Sequence, residues 1–147
     1  MATITEIKEK VIKARNGVQQ LTAKAILDNE KAILDLVRED QLYDKGIDGF
    51  GKKITPEYAG FTVDLKSRNN KPYDRVTLKD SGAFYSSFTT DYNNNELDIF
   101  ATDPKTSDLK KKYGENIDGM TKENQIKLSS KFIRPSLIKY LRGFFKW

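Results

Sequence analysis

The sequence predicts an α+β fold, with a long N-terminal helix, a small antiparallel sheet carrying an extended Gly-rich arm, and a C-terminal helical segment. Three observations predict it. Near the N-terminus, apolar residues recur at alternating steps of three and four, which lines one face of a helix. Two short central stretches alternate apolar and polar residues, the period of a half-buried strand. A capping Thr followed by an apolar-periodic run opens the last segment. At 147 residues the chain has the length of one domain. It divides into 1–41 (helical), 42–60 (extended arm or loop), 61–104 (small antiparallel sheet) and 105–147 (C-terminal helices and a basic aromatic tail).

The helical stripe is Ile4, Ile7, Val11, Ala14, Val18, Leu21 and Ala25. Lys24-Ala25-Ile26-Leu27-Asp28 then recurs as Lys31-Ala32-Ile33-Leu34-Asp35, and a seven-residue repeat keeps equivalent side chains on nearly one face. The spacing predicts a helix over roughly 4–41, bent or split at Gly17 or at Asp28-Asn29. Gly46, Gly49, Gly51, Pro56 and Gly60 break it, leaving Ile47, Phe50, Ile54 and Tyr58 as isolated apolar anchors. Phe61-Thr62-Val63-Asp64-Leu65-Lys66 alternates and reads as a strand, ended by Asn69-Asn70-Lys71-Pro72. Residues 82–88 fit a short helix entering a strand. Asp91 to Asn95 is a turn, and Leu97, Ile99 and Ala101 form a second strand before Pro104. A short helix is expected over 107–113. Thr121 caps a further helix that Pro135 interrupts or restarts.

Composition removes much chemistry. The chain has no Cys and no His, which excludes disulfides, thiolate nucleophiles, the usual zinc ligand sets and histidine general bases. No cofactor or metal is expected. Residues 1–10 mix charge with Ile and Thr and do not form a signal peptide's apolar stretch, and no run is long enough to span a membrane. The expected compartment is the cytoplasm. Of the formal +5, the cationic excess lies in residues 121–147, where seven Lys or Arg face one Glu. Residues 81–120 are acidic instead, with four cations against seven carboxylates. The basic character therefore belongs to one segment and is not a uniform surface.

Three groupings could carry chemistry. Glu57, Asp64 and Lys66 would suit a metal-dependent nuclease if Asp64 and Lys66 shared one face of a strand, although the same pattern marks an ordinary solvated face. Asp44-Lys45-Gly46-Ile47-Asp48-Gly49 has part of a calcium loop but no Glu at its twelfth position, and reads as a structural turn. The basic, aromatic end can be a solvated helix face, a nucleic-acid contact or a docked peptide. Docking is preferred because Phe144, Phe145 and Trp147 are unfavourable in water. Arg134, Lys139, Arg142, Phe144, Phe145 and Trp147 are the expected subunit-interaction residues.

Residues 41–88 contain Gln41-Leu42-Tyr43, Gly46-Ile47-Asp48, Tyr58, Thr62, Lys66, Leu78-Lys79-Asp80-Ser81-Gly82-Ala83-Phe84 and Ser87-Phe88. This run resembles the virion-morphogenesis or tail-completion proteins of tailed bacteriophages, the neck or head-tail connector proteins, in the version associated with crAss-like phages. Their recurring element is a Leu, an Asp, a Ser or Thr, a Gly, an apolar residue and a nearby Ser. The resemblance implies a non-enzymatic virion protein without cofactor. It would form a ring of its own copies between the DNA-filled head and the tail, touching portal, connector or tail proteins and no membrane. Such a protein would be found in the virion neck or tail, and in the host cytoplasm during assembly. The basic aromatic tail departs from the family pattern. Rival readings are a basic nucleic-acid-binding protein and the metal-dependent nuclease. In physical terms the shared element is a structural turn: Asp80 or Ser81 accepts backbone N–H groups, Gly82 takes a conformation that a Cβ resists, and Leu78 with Phe84 pins both sides to the core.

Overall fold

The computed structural model describes residues 1–146, and Trp147 lies outside the described residues. Helix α1 spans Ile4–Asp28. It begins with a reciprocal cap, in which Thr3 Oγ1 accepts from the Glu6 N–H at 3.2 Å and the Glu6 carboxylate accepts from the Thr3 N–H at 2.7 Å. Those bonds hold the Glu6 carboxyl below the usual range, the Thr3 backbone N–H contributing most. The helix ends at Asn29, whose amide donates to the Ala25 carbonyl at 2.8 Å. The expected break therefore falls at Asp28-Asn29. Gly17 stays inside the helix, and its lack of a side chain has another use described below.

Helix α2, Glu30–Asp35, runs on into a wide π-helical stretch, Leu36–Lys45. Gly46 closes it in the left-handed conformation (φ 62°), its N–H bonding back to Gln41 and Leu42. Residues 46–59 are irregular, as their glycines foretell. Ile54 is nonetheless fully buried, so this loop is anchored on the core.

The strand expected over 61–66 is a helix, α3, Gly60–Arg68. The alternation misleads because it is short and because the position lacks a strand to pair with. The N–H groups of Thr77 and Leu78 go instead to the Tyr58 hydroxyl, at 3.0 and 3.4 Å. In α3 an Asp64–Arg68 pair four residues apart adds local support, and Phe61 and Leu65 remain exposed.

A one-turn helix, α4 (Ala83–Ser86), leads into β1 (Phe88–Asn93), which pairs antiparallel with β2 (Glu96–Ala101) in the register Phe88 to Ala101 and Asn93 to Glu96. Asn94 and Asn95 both take positive φ at the turn, which fits a tight hairpin. Among the described residues the sheet has these two strands. A carboxylate guards each edge, Glu30 accepting from the Thr90 hydroxyl at 2.9 Å and Asp118 from the Ala101 N–H at 3.4 Å. Helix α5 covers Thr106–Tyr113, and α6, Lys122–Leu128, starts on Thr121, whose hydroxyl accepts from the Asn124 N–H. After a π-helical turn, Ser129–Ile133, α7 runs from Arg134 to Phe144 with Pro135 in its first turn, where the missing N–H is harmless.

The main core gathers Val37, Leu42, Ile54, Val76, Leu78, Phe84, Phe88 and Ile117. A second cluster joins Ile26, Ile33 and Leu128 and is flanked by Leu97 and Phe132. No residue of α7 is fully buried.

Candidate functional site

The segment that carries the resemblance folds into a turn between two left-handed residues. Leu78 has φ 58° and Gly82 φ 89°. For a leucine this conformation is disfavoured by about 1–2 kcal/mol, yet the Leu78 side chain is held in the core with Phe84, as the sequence implies. At Gly82 a Cβ would meet no neighbour within 4 Å, so the demand there is one of backbone conformation alone.

Side chains replace a sheet in holding this turn. Tyr58 accepts from the Thr77 and Leu78 N–H groups, while the Tyr85 hydroxyl donates to the Thr77 carbonyl at 2.5 Å. Burial raises the Tyr85 phenol far above its ordinary value, which keeps that donor protonated. Lys66 and Lys71 donate to the carbonyls of Lys79 and Asp80 at 3.4 and 3.1 Å. The ammonium of Lys79 lies 4.9 Å from the centre of the Tyr43 ring and 5.1 Å from that of Tyr85. Ser81 accepts from the Ala83 N–H at 3.3 Å, whereas the Asp80 carboxylate points into solvent and caps nothing. Of the two capping candidates, Ser81 has the role. The turn walls one side of a cleft of about 390 Å³, with an apolar floor that includes Tyr58, Leu65, Phe84 and Leu109.

The residues grouped for a nuclease are not brought together as a strand face would require. Asp64 and Lys66, two apart on a helix, project in nearly opposite directions. Glu57 pairs with Lys53 at 2.7 Å and Asp64 with Arg68 at 2.9 Å, while Lys66 lies 4.7 Å from the Tyr58 ring centre. The Lys53 hydrogen bond holds the Glu57 carboxyl below its usual range. Asp48 accepts from the N–H groups of Phe50 and Lys52 at 2.9 and 3.0 Å, closing its own turn. Among the described residues, no three acidic side chains converge on a point that could hold a metal ion.

Of the C-terminal residues expected to meet a neighbour, Arg134, Lys139, Arg142 and Phe144 lie on α7, which packs against α1, and Phe145 follows it. Tyr140 sits over Gly17 so closely that a Cβ there would overlap its phenol ring. Phe144 meets Tyr140 at a tilt and Phe145 edge-on, and the Lys10 ammonium lies 6.0 and 5.8 Å from the Phe144 and Phe145 ring centres. Part of the aromatic cover is thus supplied within the chain, a partner that sequence reasoning did not count. Arg134, Lys139 and Arg142 are exposed. Trp147, the remaining member of that group, lies outside the described residues.

Sequence reasoning missed a buried amide pair. Gln41, fully buried, donates to the Gly119 carbonyl and accepts from the Thr121 N–H, both at 2.9 Å. The Asn124 amide donates to the Gln41 side chain, to the Leu36 carbonyl and to Asp40, at 2.9–3.0 Å. Burial would raise the Asp40 carboxyl, but the Asn124 bond and the charges of Lys45 and Lys127 outweigh it and hold it low. The only hint in the sequence was the capping position of Thr121, three residues before Asn124. No family model, curated protein or solved structure matches this chain.

Proposed function

We propose that this chain is a structural protein of a tailed-bacteriophage virion, a subunit of the neck or tail-completion ring that joins the portal-bearing head to the tail. The observation that carries the reading is the state of the resembling segment. Its polar groups are engaged in holding their own backbone: Tyr58 and Tyr85 on Thr77, Lys66 and Lys71 on the next carbonyls, Ser81 on Ala83. Such a turn supplies a fixed shape to a neighbouring subunit. The exposed cations Arg134, Lys139 and Arg142 of α7, with the half-buried rings of Phe144 and Phe145 at its end, supply a second contact region. Other copies of the chain and portal, connector or tail proteins are the partners under this reading, with assembly in the host cytoplasm.

A mass-spectrometric inventory of purified particles tests it: the chain should be present in stoichiometric copies. Deleting residues 143–147 should leave a folded protein that no longer enters particles. The basic end favours nucleic-acid binding as a second reading. A truncated protein that assembles normally but loses salt-dependent DNA affinity would establish that alternative.

A further inference from the structure

The apolar stripe of α1 is a strict heptad seam, with Ile4, Val11, Val18 and Ala25 at positions a and Ile7, Ala14 and Leu21 at positions d. Its two halves have different fates. From Ala14 (4% exposed) onward the chain covers it, and α7 runs antiparallel alongside, Tyr140 at Gly17 and Phe144 at Lys10. Ahead of Ala14 the seam itself stands clear, although the Phe144 and Phe145 rings reach the Lys10 ammonium beside it. Ile4, Ile7 and Val11 are 87%, 52% and 52% exposed, and residues 1–13 are exposed throughout. The Thr3/Glu6 cap keeps this uncovered part wound to its first turn, so a partner meets a helix already formed.

The flanks of the seam say what can cover it. Positions e and g hold Lys8, Lys10 and Arg15, whereas Glu6 and Glu9 fall at c and f, turned away. A second copy of α1 would set cation against cation in either orientation, and α7 of a second copy would bring Arg134, Lys139 and Arg142. A narrow a/d stripe without any aromatic residue in positions 1–20 is a coiled-coil seam and not the broad face of a membrane-lying helix. DNA would answer the cations but leave Ile4, Ile7 and Val11 in water.

We propose that the N-terminal half of α1 is a docking site for an amphipathic helix of a different protein, one with apolar a and d residues and acidic e and g flanks, which continues the seam that α7 begins. This docking is independent of the neck-ring reading.

The test is a fluorescence-anisotropy titration of the full chain with labelled peptides of about three heptads, Leu at a and d. A peptide with Glu at e and g should bind, and one with Lys there should bind at least about tenfold more weakly. A Glu-flanked peptide with Ser at a and d should also bind at least about tenfold more weakly. Ile7→Asp and Val11→Asp should each weaken the first peptide by at least about tenfold while circular dichroism and the urea midpoint stay unchanged. Ile12→Asp, at position b outside the seam, should leave binding intact. Equal binding of the Glu and Lys peptides, or of the Leu and Ser peptides, would overturn the proposal, as would no effect of Ile7→Asp. Sedimentation of the unliganded chain as a dimer that Ile7→Asp dissociates would assign the seam to a second copy. Ile7-dependent capture of anionic vesicles or duplex DNA without capture of the Glu peptide would overturn it too.

Discussion

The junction of the Leu36–Lys45 segment with α6 and the pairing of α1 with α7 are both contacts between distant parts of the chain, and they are built in opposite ways. At the first, the Asn124 amide donates to Gln41 and the pair bonds four further groups, all at 2.9–3.0 Å, while the Asn124 Oδ1 is left buried without a partner. Shifting that contact by one residue would strand several buried donors and acceptors, so a single register is allowed. At the second, α7 contributes no fully buried residue, and its rings lie on a seam that continues past them. Apolar contact alone tolerates sliding and leaves surface to spare. A protein that must both keep its shape and meet a partner is served by having each kind once.

The largest effect that would break this contrast is expected at Asn124. Asn124→Ala should lower stability by about 2–4 kcal/mol in urea unfolding, since Gln41 and the Leu36 carbonyl lose a donor inside the protein. A change below about 0.5 kcal/mol would mean the amide pair does not fix the junction.

Gly17→Leu should act on the other contact only. With the Tyr140 ring displaced, α7 should lose about 1–3 kcal/mol of docking. Hydrogen exchange should then show faster amide exchange in α7 and unchanged protection in Leu36–Lys45. Cooperative loss in both would show that the two contacts are one unit.

Gly82→Val should cost about 1–2 kcal/mol, from backbone conformation and not from a clash, because nothing lies where the new side chain would start. Gly82→Asn, better suited to positive φ, should recover most of it, measured by the same unfolding.

Acid sharpens the comparison further. Burial opposes ionisation of Asp35, but Lys31 and Arg38 hold its carboxyl below the usual range, as Asn124 and Lys45 do for Asp40. A lowered folded value means that this stability is present in full above the unfolded carboxylate range of about 4, and is lost as pH falls through the lower folded values. The urea midpoint should fall between about pH 5 and 3, and Asp40→Asn should flatten that slope. The smallest effect is expected at Ile7→Ser, within about 0.5 kcal/mol, because that side chain is already in water.

Local features of the fold were legible because their causes are local. The α1 stripe, the break at Asn29, the second hairpin strand, the Thr121 cap and the Pro135 restart each depend on residues within a few positions of one another, whereas Asp91–Asn93, read as turn, belong to the first strand and only Asn94-Asn95 turn. The turn at Gly82 belongs with them, since its left-handed conformation follows from a glycine after Asp80 and Ser81. Around it the sequence named Leu78 and Phe84 as core residues and left the cap between Asp80 and Ser81, of which Ser81 makes it.

What only the tertiary structure decided are the choices made between segments far apart. Residues 61–66 alternate as a strand would but form α3, since six alternating residues do not by themselves decide between strand and helix and no described strand lies there to pair with them. Gly17 reads as a helix breaker and is the landing place of Tyr140, more than a hundred positions away in sequence. The Gln41/Asn124 pair had no pattern to betray it, since buried amides find each other through geometry and not through spacing. Periodicity records which face of an element is apolar; which other element covers that face, and where the cover stops, is settled by long-range packing. The seam from Ile4 to Ala25 shows both halves of that statement: one repeat in the sequence, covered only from Ala14 onward in the folded chain.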